Sequence, residues 1–275
     1  MRRFNDRIAL SISCLVNRDL FTALDKAKEL GFQSIMAMPY NGRAYHSVGR
    51  FATLDFYSLG EDKVSVFLEK LGEFKHISLH QAWDNEWKKW IDCAAEIGAE
   101  IVTVHAMNGK LSLKNYFTER VRHLQEIGDY AQERGLRIGV ENDGGSFRNY
   151  IRLIKEVDHP AVGATLDLGH CAYFSEVMEV KDLRGRVKLL NEVIGEMVLE
   201  LDYKVYNLHV HNVNASWRDH RSVPDGVIDV RKVIQMLERT GYRGLYVIEL
   251  EEADCVKRSL ESGAYIDDIL QLFKR

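Results

Sequence analysis

Short runs of consecutive apolar residues recur along this chain, and several are closed by a histidine or a carboxylate. Most are followed by a stretch in which apolar residues return every three or four positions, as on one face of a helix. Apolar runs bounded in this way predict buried parallel strands. Six such runs end in a residue suited to metal binding or acid–base chemistry: HISL before His80, IVTV before His105, RIGV before Glu141, GATL before Asp167, NLHV before His211 and LYVI before Glu249.

The alternation of strand-like and helix-like stretches extends along the whole chain. Two further runs, IALSISC near residue 10 and QSIMAM after a helix at residues 20–30, bring the total to about eight strand–helix units. Such alternation predicts a parallel sheet, either closed into a barrel or open and doubly wound. No G-x-G-x-x-G follows the first strand, which disfavours the dinucleotide-binding form of the open sheet. The stretch at residues 39–60 is expected to be irregular.

The phase of the side chains along each strand favours the barrel. Side chains alternate between the two faces of a strand, so Thr103 shares the direction of His105, and Gly139 that of Glu141. An open sheet covered by helices would be apolar in both phases, whereas a barrel can keep a small or polar interior below its mouth. We therefore predict an α/β fold, a single (β/α)8 TIM barrel over residues 1–275 with its site at the carboxyl ends of the strands. The large aliphatic residues occupy the opposite phase: Ile77, Leu79, Val102, Val104, Ile138, Val140 and Leu166.

Composition narrows the function classes further. A length of 275 residues suits one barrel, 46% hydrophobic residues suffice for a large core, and three prolines leave no Pro-rich linker. Because 41 acidic residues outnumber 37 basic ones, a nucleic-acid partner is disfavoured. No apolar run reaches the ~18 residues of a membrane span, and the amino terminus lacks a secretory pattern. Four scattered cysteines predict reduced, buried thiols in a cytoplasmic protein: Cys14, Cys93, Cys171 and Cys255.

Four successive predicted strands end in Glu141, Asp167, His211 and Glu249. Each alone would commonly be a helix cap, a surface charge or a satisfied core residue. Together they would converge at the mouth of the barrel, where buried carboxylates need a partner or a metal ion. Three carboxylates and one imidazole suit Mn²⁺, Mg²⁺, Co²⁺ or Zn²⁺ with positions left for substrate oxygens. The sequence thus predicts one divalent metal ion, does not rank these ions, and predicts no organic cofactor.

Four motifs in this pattern resemble the xylose-isomerase-like barrels. They are D-L-G-H at residues 167–170, H-V-H at 209–211, V-P-D-G-V-I-D at 223–229 and Y-V-I-E at 246–249, and the resemblance covers nearly the whole chain. That superfamily includes ketose 3-epimerases, hydroxypyruvate isomerases, inosose dehydratases, sugar-phosphate isomerases and endonuclease IV. The resemblance implies a metal-dependent isomerase or epimerase of carbohydrate metabolism, acting on a sugar, sugar phosphate or inosose as a homodimer or homotetramer.

The resemblance also implies roles for individual residues. It assigns four metal ligands: Glu141, Asp167, His211 and Glu249. The two glutamates would double as an acid–base pair that moves a proton next to a carbonyl through a metal-stabilised enediolate. His209, one layer below His211, is expected to pack behind the ligands rather than to bind the ion. The residues expected to contact the substrate are His80, His105, His170, Arg218 and His220.

The chain departs from the epimerase pattern at two positions. The epimerases carry an arginine where this chain has Trp217, with Arg218 beside it, and a glutamate where it has Phe147. A free ketohexose is therefore not assumed as the substrate. Arg148, Arg218 and Arg221 could hold a phosphate or carboxylate from predicted mouth loops, or could simply be solvated charges. The loops at residues 39–51 and 212–221 are expected to determine the substrate.

Two alternatives stay open at this point. The first is a phosphodiesterase of the endonuclease IV type, in which His80 and His105 would hold a second metal and Arg218 replaces one aspartate of the three-metal cluster. The second is a sugar-binding barrel without catalysis, since fold does not imply function, although a pure binder needs no acid–base pair. The endonuclease IV ligands resemble eight residues of this chain: His80, His105, Glu141, Asp167, His170, His211, His220 and Glu249.

Overall fold

The fold is described from a computed structural model, which covers residues 3–38, 43–46, 49–52, 56–81, 84 and 86–273. Its strands are β1 (Ile8–Ser11), β2 (Ser34–Ala37), β3 (Arg43–His46), β4 (Gly49–Ala52), β5 (His76–His80), β6 (Ile101–His105), β7 (Arg137–Glu141), β8 (Val162–Asp167), β9 (Val205–Val210) and β10 (Leu245–Ile248). Its helices are α1 (Leu20–Glu29), α2 (Glu61–Leu71), α3 (Trp87–Glu96), α4 (Lys114–Gln132), α5 (Phe147–Val157), α6 (Ser175–Met178), α7 (Leu183–Leu201), α8 (Val230–Thr240) and α9 (Cys255–Gln271).

Eight of the strands close into a parallel barrel. Their order around the barrel is β1–β10–β9–β8–β7–β6–β5–β2, and the pairing of β1 with β10, for example Ile8 opposite Tyr246, closes it. A helix lies between each pair of successive barrel strands in the chain, and the helices cover the barrel from outside. The predicted (β/α)8 barrel is confirmed, and its carboxyl ends share one face, where such barrels carry their active sites.

The predicted division between inward and outward side chains is also observed. Thr103 on β6 and Thr165 on β8 lie 3.2 Å apart at their hydroxyls in the buried interior. Gly139 on the intervening strand permits this, because a Cβ there would overlap the Thr165 hydroxyl. On the outer side, the Tyr150 hydroxyl of α5 donates a hydrogen bond to the Val140 carbonyl at 2.6 Å. Small polar residues thus line the interior below the mouth while aliphatic residues pack against the helices.

Some local expectations differ from the structure. Within the stretch expected to be irregular, β3 and β4 pair as an antiparallel hairpin. Of the loop at 39–51, residues 39–42 and 47–48 lie outside the described residues, so its role stays a prediction. All four cysteines are free and buried, as predicted. None of the described helices is long and apolar enough to span a bilayer.

We expect Gly145→Ala to destabilise the loop that follows β7. Gly145 has φ +74°, and an added Cβ would lie 2.6 Å from the Asn108 carbonyl carbon and oxygen. A strained backbone of this kind costs about 2 kcal/mol, which corresponds to a melting temperature lower by about 4–8 °C. Thermal denaturation followed by circular dichroism measures the shift. Gly109→Ala is the matched control, because a Cβ at Gly109 meets nothing within 4 Å. Equal melting temperatures for the two variants would contradict the prediction.

Candidate active site

The register of the strands brings the predicted site residues together at the barrel mouth. His105 ends β6 directly opposite Glu141, which ends β7. Asp167 ends β8 opposite His209 on β9. Glu249 follows the last residue of β10. Because parallel strands end on the same face of a barrel, these side chains converge although they are far apart in the sequence.

One group of ligand atoms is tightly gathered in this region. Glu141, Asp167, His209 and Glu249 each offer one nitrogen or oxygen, and all four atoms lie within 4.8 Å of one another. The structure therefore brings together three of the four predicted ligands, but the histidine of the group is His209, not His211. Glu141 and Asp167 are almost fully buried, whereas the Glu249 side chain is 13% exposed.

His209 is the central residue of this group. Its Nδ1 lies 2.6 Å from Glu141 Oε1, 3.3 Å from Glu249 Oε2 and 3.7 Å from Asp167 Oδ2. The ring is fully buried, and neither nitrogen has a partner in hydrogen-bonding geometry. Buried imidazole nitrogens normally form hydrogen bonds or bind metal ions. Three carboxylates converging on such a ring fit a divalent cation, because its charge would offset most of theirs and its coordination would satisfy the ring.

His211 lies two residues further along the chain and forms different contacts. Its Nδ1 accepts a hydrogen bond from the His220 backbone amide at 2.8 Å. Its Nε2 therefore carries the proton and donates to the Asp167 carboxylate at 2.9 Å. His209 does lie below His211, as expected, but the register of β8 and β9 puts it level with Asp167. This stagger explains why His209, and not His211, reaches the group; the assignment of the ligand itself stays a prediction.

The D-L-G-H motif and Asn142 hold Asp167 in place. The Asn142 side chain accepts a hydrogen bond from the Asp167 amide at 2.8 Å and donates to the Asp167 carbonyl at 2.9 Å. The His170 amide donates to Asp167 Oδ1 at 2.7 Å. Only glycine fits at position 169, because an added Cβ would overlap the His211 ring. Sequence reasoning missed Asn142; its signal was an amide directly after a candidate ligand, where the strand ends.

A second group adjoins the first through Glu141. His80 Nε2 and His105 Nδ1 lie 3.4 Å and 3.2 Å from Glu141 Oε2, on the carboxylate oxygen that does not face His209. Burial lowers the pKa of His105 to about 3, so this ring is neutral near pH 7. A neutral imidazole is the form that binds metals. Glu141 is thus positioned between two groups of possible ligands.

A third group contains only histidines and lies beside Asp167. His170, His211 and His220 offer ligand atoms within 4.8 Å of one another, and the rings of His211 and His220 stack at 4.1 Å. Burial opposes protonation of His220, but its contact with Asp219 outweighs burial and raises the pKa of His220 to about 9. The predicted contact residues His170 and His220 are therefore both at the mouth.

The buried carboxylates of the first group are ionised. Burial would raise the pKa of Glu141, but His209 and His80 hold it well below its usual range. In the same way, burial would raise the pKa of Asp167, and the rings of His170 and His211 outweigh it and hold that pKa well below its ordinary value. Both groups therefore present negative charge at neutral pH, as metal binding requires.

The three arginines expected in mouth loops are placed differently from one another. Arg148 lies in the first turn of α5 and pairs with Glu196 of α7 at 3.5 Å, with its side chain 71% exposed, so its expected position in a mouth loop is wrong. Arg218 is exposed. Arg221 donates to the Glu251 carbonyl at 2.8 Å. Arg148 is the second residue of the helix that begins at Phe147, and its side chain points outward to the exposed face of that helix.

One basic residue near the site was missed in the sequence. Arg120 of α4 is only 7% exposed and lines a cavity of about 570 Å³ that His105 also lines. Its sequence signal was a charged residue within the buried stripe of that helix, between Phe117 and Leu124. A charge at a position that the helical period assigns to the core needs a specific partner.

The chain is similar to several known proteins. A family model described as a xylose isomerase-like TIM barrel matches residues 24–275. An uncharacterised protein of Methanocaldococcus jannaschii is 27% identical over 193 residues, which are 66% of this chain and 60% of that protein. An inosose dehydratase of Geobacillus thermodenitrificans is 26% identical over 190 residues, 62% of this chain and 63% of the relative. The chain thus spans about six tenths of the length of these relatives.

Solved structures share the fold at lower identity. A xylose isomerase-like TIM barrel protein of Mycobacterium smegmatis, in complex with magnesium, superposes with a TM-score of 0.70 at 20% identity over 97% of each chain. A D-tagatose 3-epimerase-like protein gives a TM-score of 0.70 at 18% identity, again over 97% of each chain. These superpositions agree with the closed eight-stranded barrel seen here. Because the family model also covers most of the sequence, the chain belongs to the xylose isomerase-like TIM barrel family.

Proposed function

We propose that this protein is a divalent-metal-dependent enzyme that removes a proton next to a carbonyl of a sugar, sugar phosphate or inosose. The observation that carries the proposal is the convergence of Glu141, Asp167, His209 and Glu249 at the barrel mouth. Isomerisation, epimerisation and dehydration can all begin with this proton transfer. The inosose dehydratase relative and the epimerase-like structural neighbour support this range of reactions.

The four converging residues are the proposed metal ligands. Their geometry favours His209 as the histidine ligand, in place of the His211 that the family resemblance implies. Three carboxylates converge on the His209 ring, whereas both nitrogens of His211 are engaged by Asp167 and the His220 amide. When bound, Mn²⁺, Mg²⁺, Co²⁺ or Zn²⁺ would supply Lewis-acid polarisation of substrate oxygens. His211 would hold Asp167 in the orientation in which it binds, as hydrogen-bonding partners of metal ligands commonly do.

The two glutamates are the proposed acid–base pair. Glu249 has the more exposed side chain and stands at the open side of the group, so we assign it the abstraction of the substrate proton. Glu141 is buried and ionised, and it would accept or return a proton on the other side. His80, His105, His170, Arg218 and His220 are the proposed substrate contacts.

A second metal is proposed at His80 and His105, with Glu141 Oε2 between them. Assembly as a homodimer or homotetramer and location in the cytoplasm also stay predictions. The substrate would be a small sugar or sugar derivative rather than a nucleic acid, given the net charge of −4.

We expect His209→Ala to weaken metal binding more than His211→Ala. Removing a ligand deletes a bond to the ion, whereas removing a residue that orients a ligand typically costs about 10- to 100-fold in affinity. Titration of metal-free protein with Mn²⁺ by isothermal calorimetry should show a loss of more than about 100-fold for His209→Ala and about 10- to 100-fold for His211→Ala. The reverse order would make His211 the ligand and contradict the assignment made from the geometry.

We expect Glu249→Gln to abolish proton exchange while leaving the barrel folded. The amide cannot accept the substrate proton, and general-base catalysis contributes about 10²- to 10⁴-fold. Proton NMR in D₂O, with Mn²⁺-loaded protein and a panel of ketoses, aldoses, their phosphates and inososes, follows deuterium entering beside the carbonyl. Glu196→Gln on the outer face of α7 is the matched control and should exchange at the unaltered rate. Exchange that persists in Glu249→Gln removes the role assigned to Glu249.

Phosphodiester cleavage is the second candidate, and the three adjoining groups of possible ligands favour it. Clustered metal ions suit displacement at phosphorus, since they stabilise both attacking and leaving oxygens. Absence of deuterium exchange across the panel, combined with metal-dependent cleavage of DNA that contains abasic sites, would support this candidate. Deuterium exchange without cleavage would exclude it as the main activity.

A further inference from the structure

A cavity of about 570 Å³ adjoins the site, and His105 is one of the residues that line it. Its wall combines residues that follow β5 with residues of the loop after β6 and of helices α3 and α4. The described residues that line it are Gln81, Asp84, Trp87, His105, Met107, Lys110, Tyr116, Arg120 and His123. A ligand in this cavity would lie next to the group formed by His80, His105 and Glu141, and so next to the proposed reaction centre.

Arg120 is the central feature of the cavity. Its guanidinium stacks 4.4 Å from the ring centroid of Trp87, and its Nη2 donates a hydrogen bond to the His105 carbonyl. Its Nε is shielded from solvent and has no hydrogen-bond partner. Among the described residues no carboxylate lies within ion-pairing distance of Arg120. Burial lowers the pKa of Arg120, and the more distant charge of Asp143 opposes this only in part. A buried guanidinium normally has an anionic partner, so this one is incomplete in the protein alone.

The rest of the wall complements a negatively charged, hydroxylated molecule. Lys110 adds a second cation, and its Nζ stands 5.7 Å from the Tyr116 ring centroid. Gln81 is 5% exposed and its side-chain oxygen has no hydrogen-bond partner, so it can accept a bond from a ligand hydroxyl. The described wall also contains one carboxylate, Asp84, whose Oδ1 accepts bonds from the Trp90 indole and the Glu86 amide. Positive charge therefore exceeds negative charge on this wall.

We propose that Arg120 and Lys110 form an anion-binding subsite, and that the substrate carries a carboxylate or phosphate which occupies it. The planar guanidinium suits both oxyanions, and the neighbouring Gln81 suits a hydroxyl on the same molecule. The chemical class is thus a polyhydroxylated acid or a sugar phosphate, bound with its charged end at α4 and its carbonyl end at Glu249. This inference rests on the proposed function only for the statement that the bound molecule is a substrate.

Binding experiments test the subsite separately from catalysis. Metal-loaded protein is titrated with inorganic phosphate and with acetate, and thermal stabilisation is recorded. Isothermal calorimetry then compares D-fructose 6-phosphate with D-fructose, and D-glucuronate with D-glucose, which distinguishes phosphate from carboxylate. The variants are Arg120→Gln, Arg120→Lys and Lys110→Gln, with Arg148→Gln as the surface control. Lys110 is exposed, so its variant keeps the test valid if Arg120→Gln fails to fold.

We expect the protein to bind at least one of the two anions and to prefer the matching anionic sugar to its neutral partner. Arg120→Gln removes hydrogen bonds to a charged group, so its preference for the anionic sugar should fall by about 10- to 100-fold. Arg120→Lys and Lys110→Gln should show smaller reductions. Arg148→Gln should keep the full preference. No anion binding, or a preference unchanged in both Arg120→Gln and Lys110→Gln, overturns the subsite. Anion binding without deuterium exchange would leave the subsite in place and make the proposed function wrong.

Discussion

The concentration of negative charge inside the barrel mouth is the constraint on which the rest of the site depends. Glu141, Asp167 and Glu249 converge on the ring of His209, and two of these carboxylates are almost completely buried. Burying ionised carboxylates costs several kcal/mol each unless a partner compensates. One imidazole cannot balance three carboxylates, whereas a divalent cation would offset two of their three negative charges. The same converging carboxylates that destabilise the interior when no ion is bound would bind a divalent ion tightly.

The surrounding residues maintain this arrangement by restricting the conformations of the proposed ligands. The Asn142 side chain forms hydrogen bonds with both the amide and the carbonyl of Asp167, and His211 donates a hydrogen bond to the Asp167 carboxylate. Gly169 leaves space for the His211 ring, and Gly145 lets the loop after β7 pack directly on Asn108. These contacts reduce the reorganisation needed when an ion or substrate binds, which is how a supporting shell contributes to function.

The barrel could be predicted from the sequence because the evidence for it lies within each strand. Inward and outward positions alternate within each strand, so residues such as Thr103 and Val104 reveal the two faces without knowledge of the neighbouring strands. The choice between His209 and His211 could not be made in this way, since it depends on the stagger of β8 against β9, which includes a register shift at Ala164 and Thr165. Arg120 did have a local signal, but its cavity forms only when α4 packs beside the loops after β5 and β6.

The most direct test of the central claim is an anomalous difference map, recorded at the manganese absorption edge from crystals of the Mn²⁺-loaded protein. The account predicts its strongest peak between the carboxylates of Glu141, Asp167 and Glu249, at bonding distance from His209. Absence of a peak at this position would contradict the proposed metal centre. A peak bound by His211, with His209 turned away, would contradict the ligand assignment while keeping the metal.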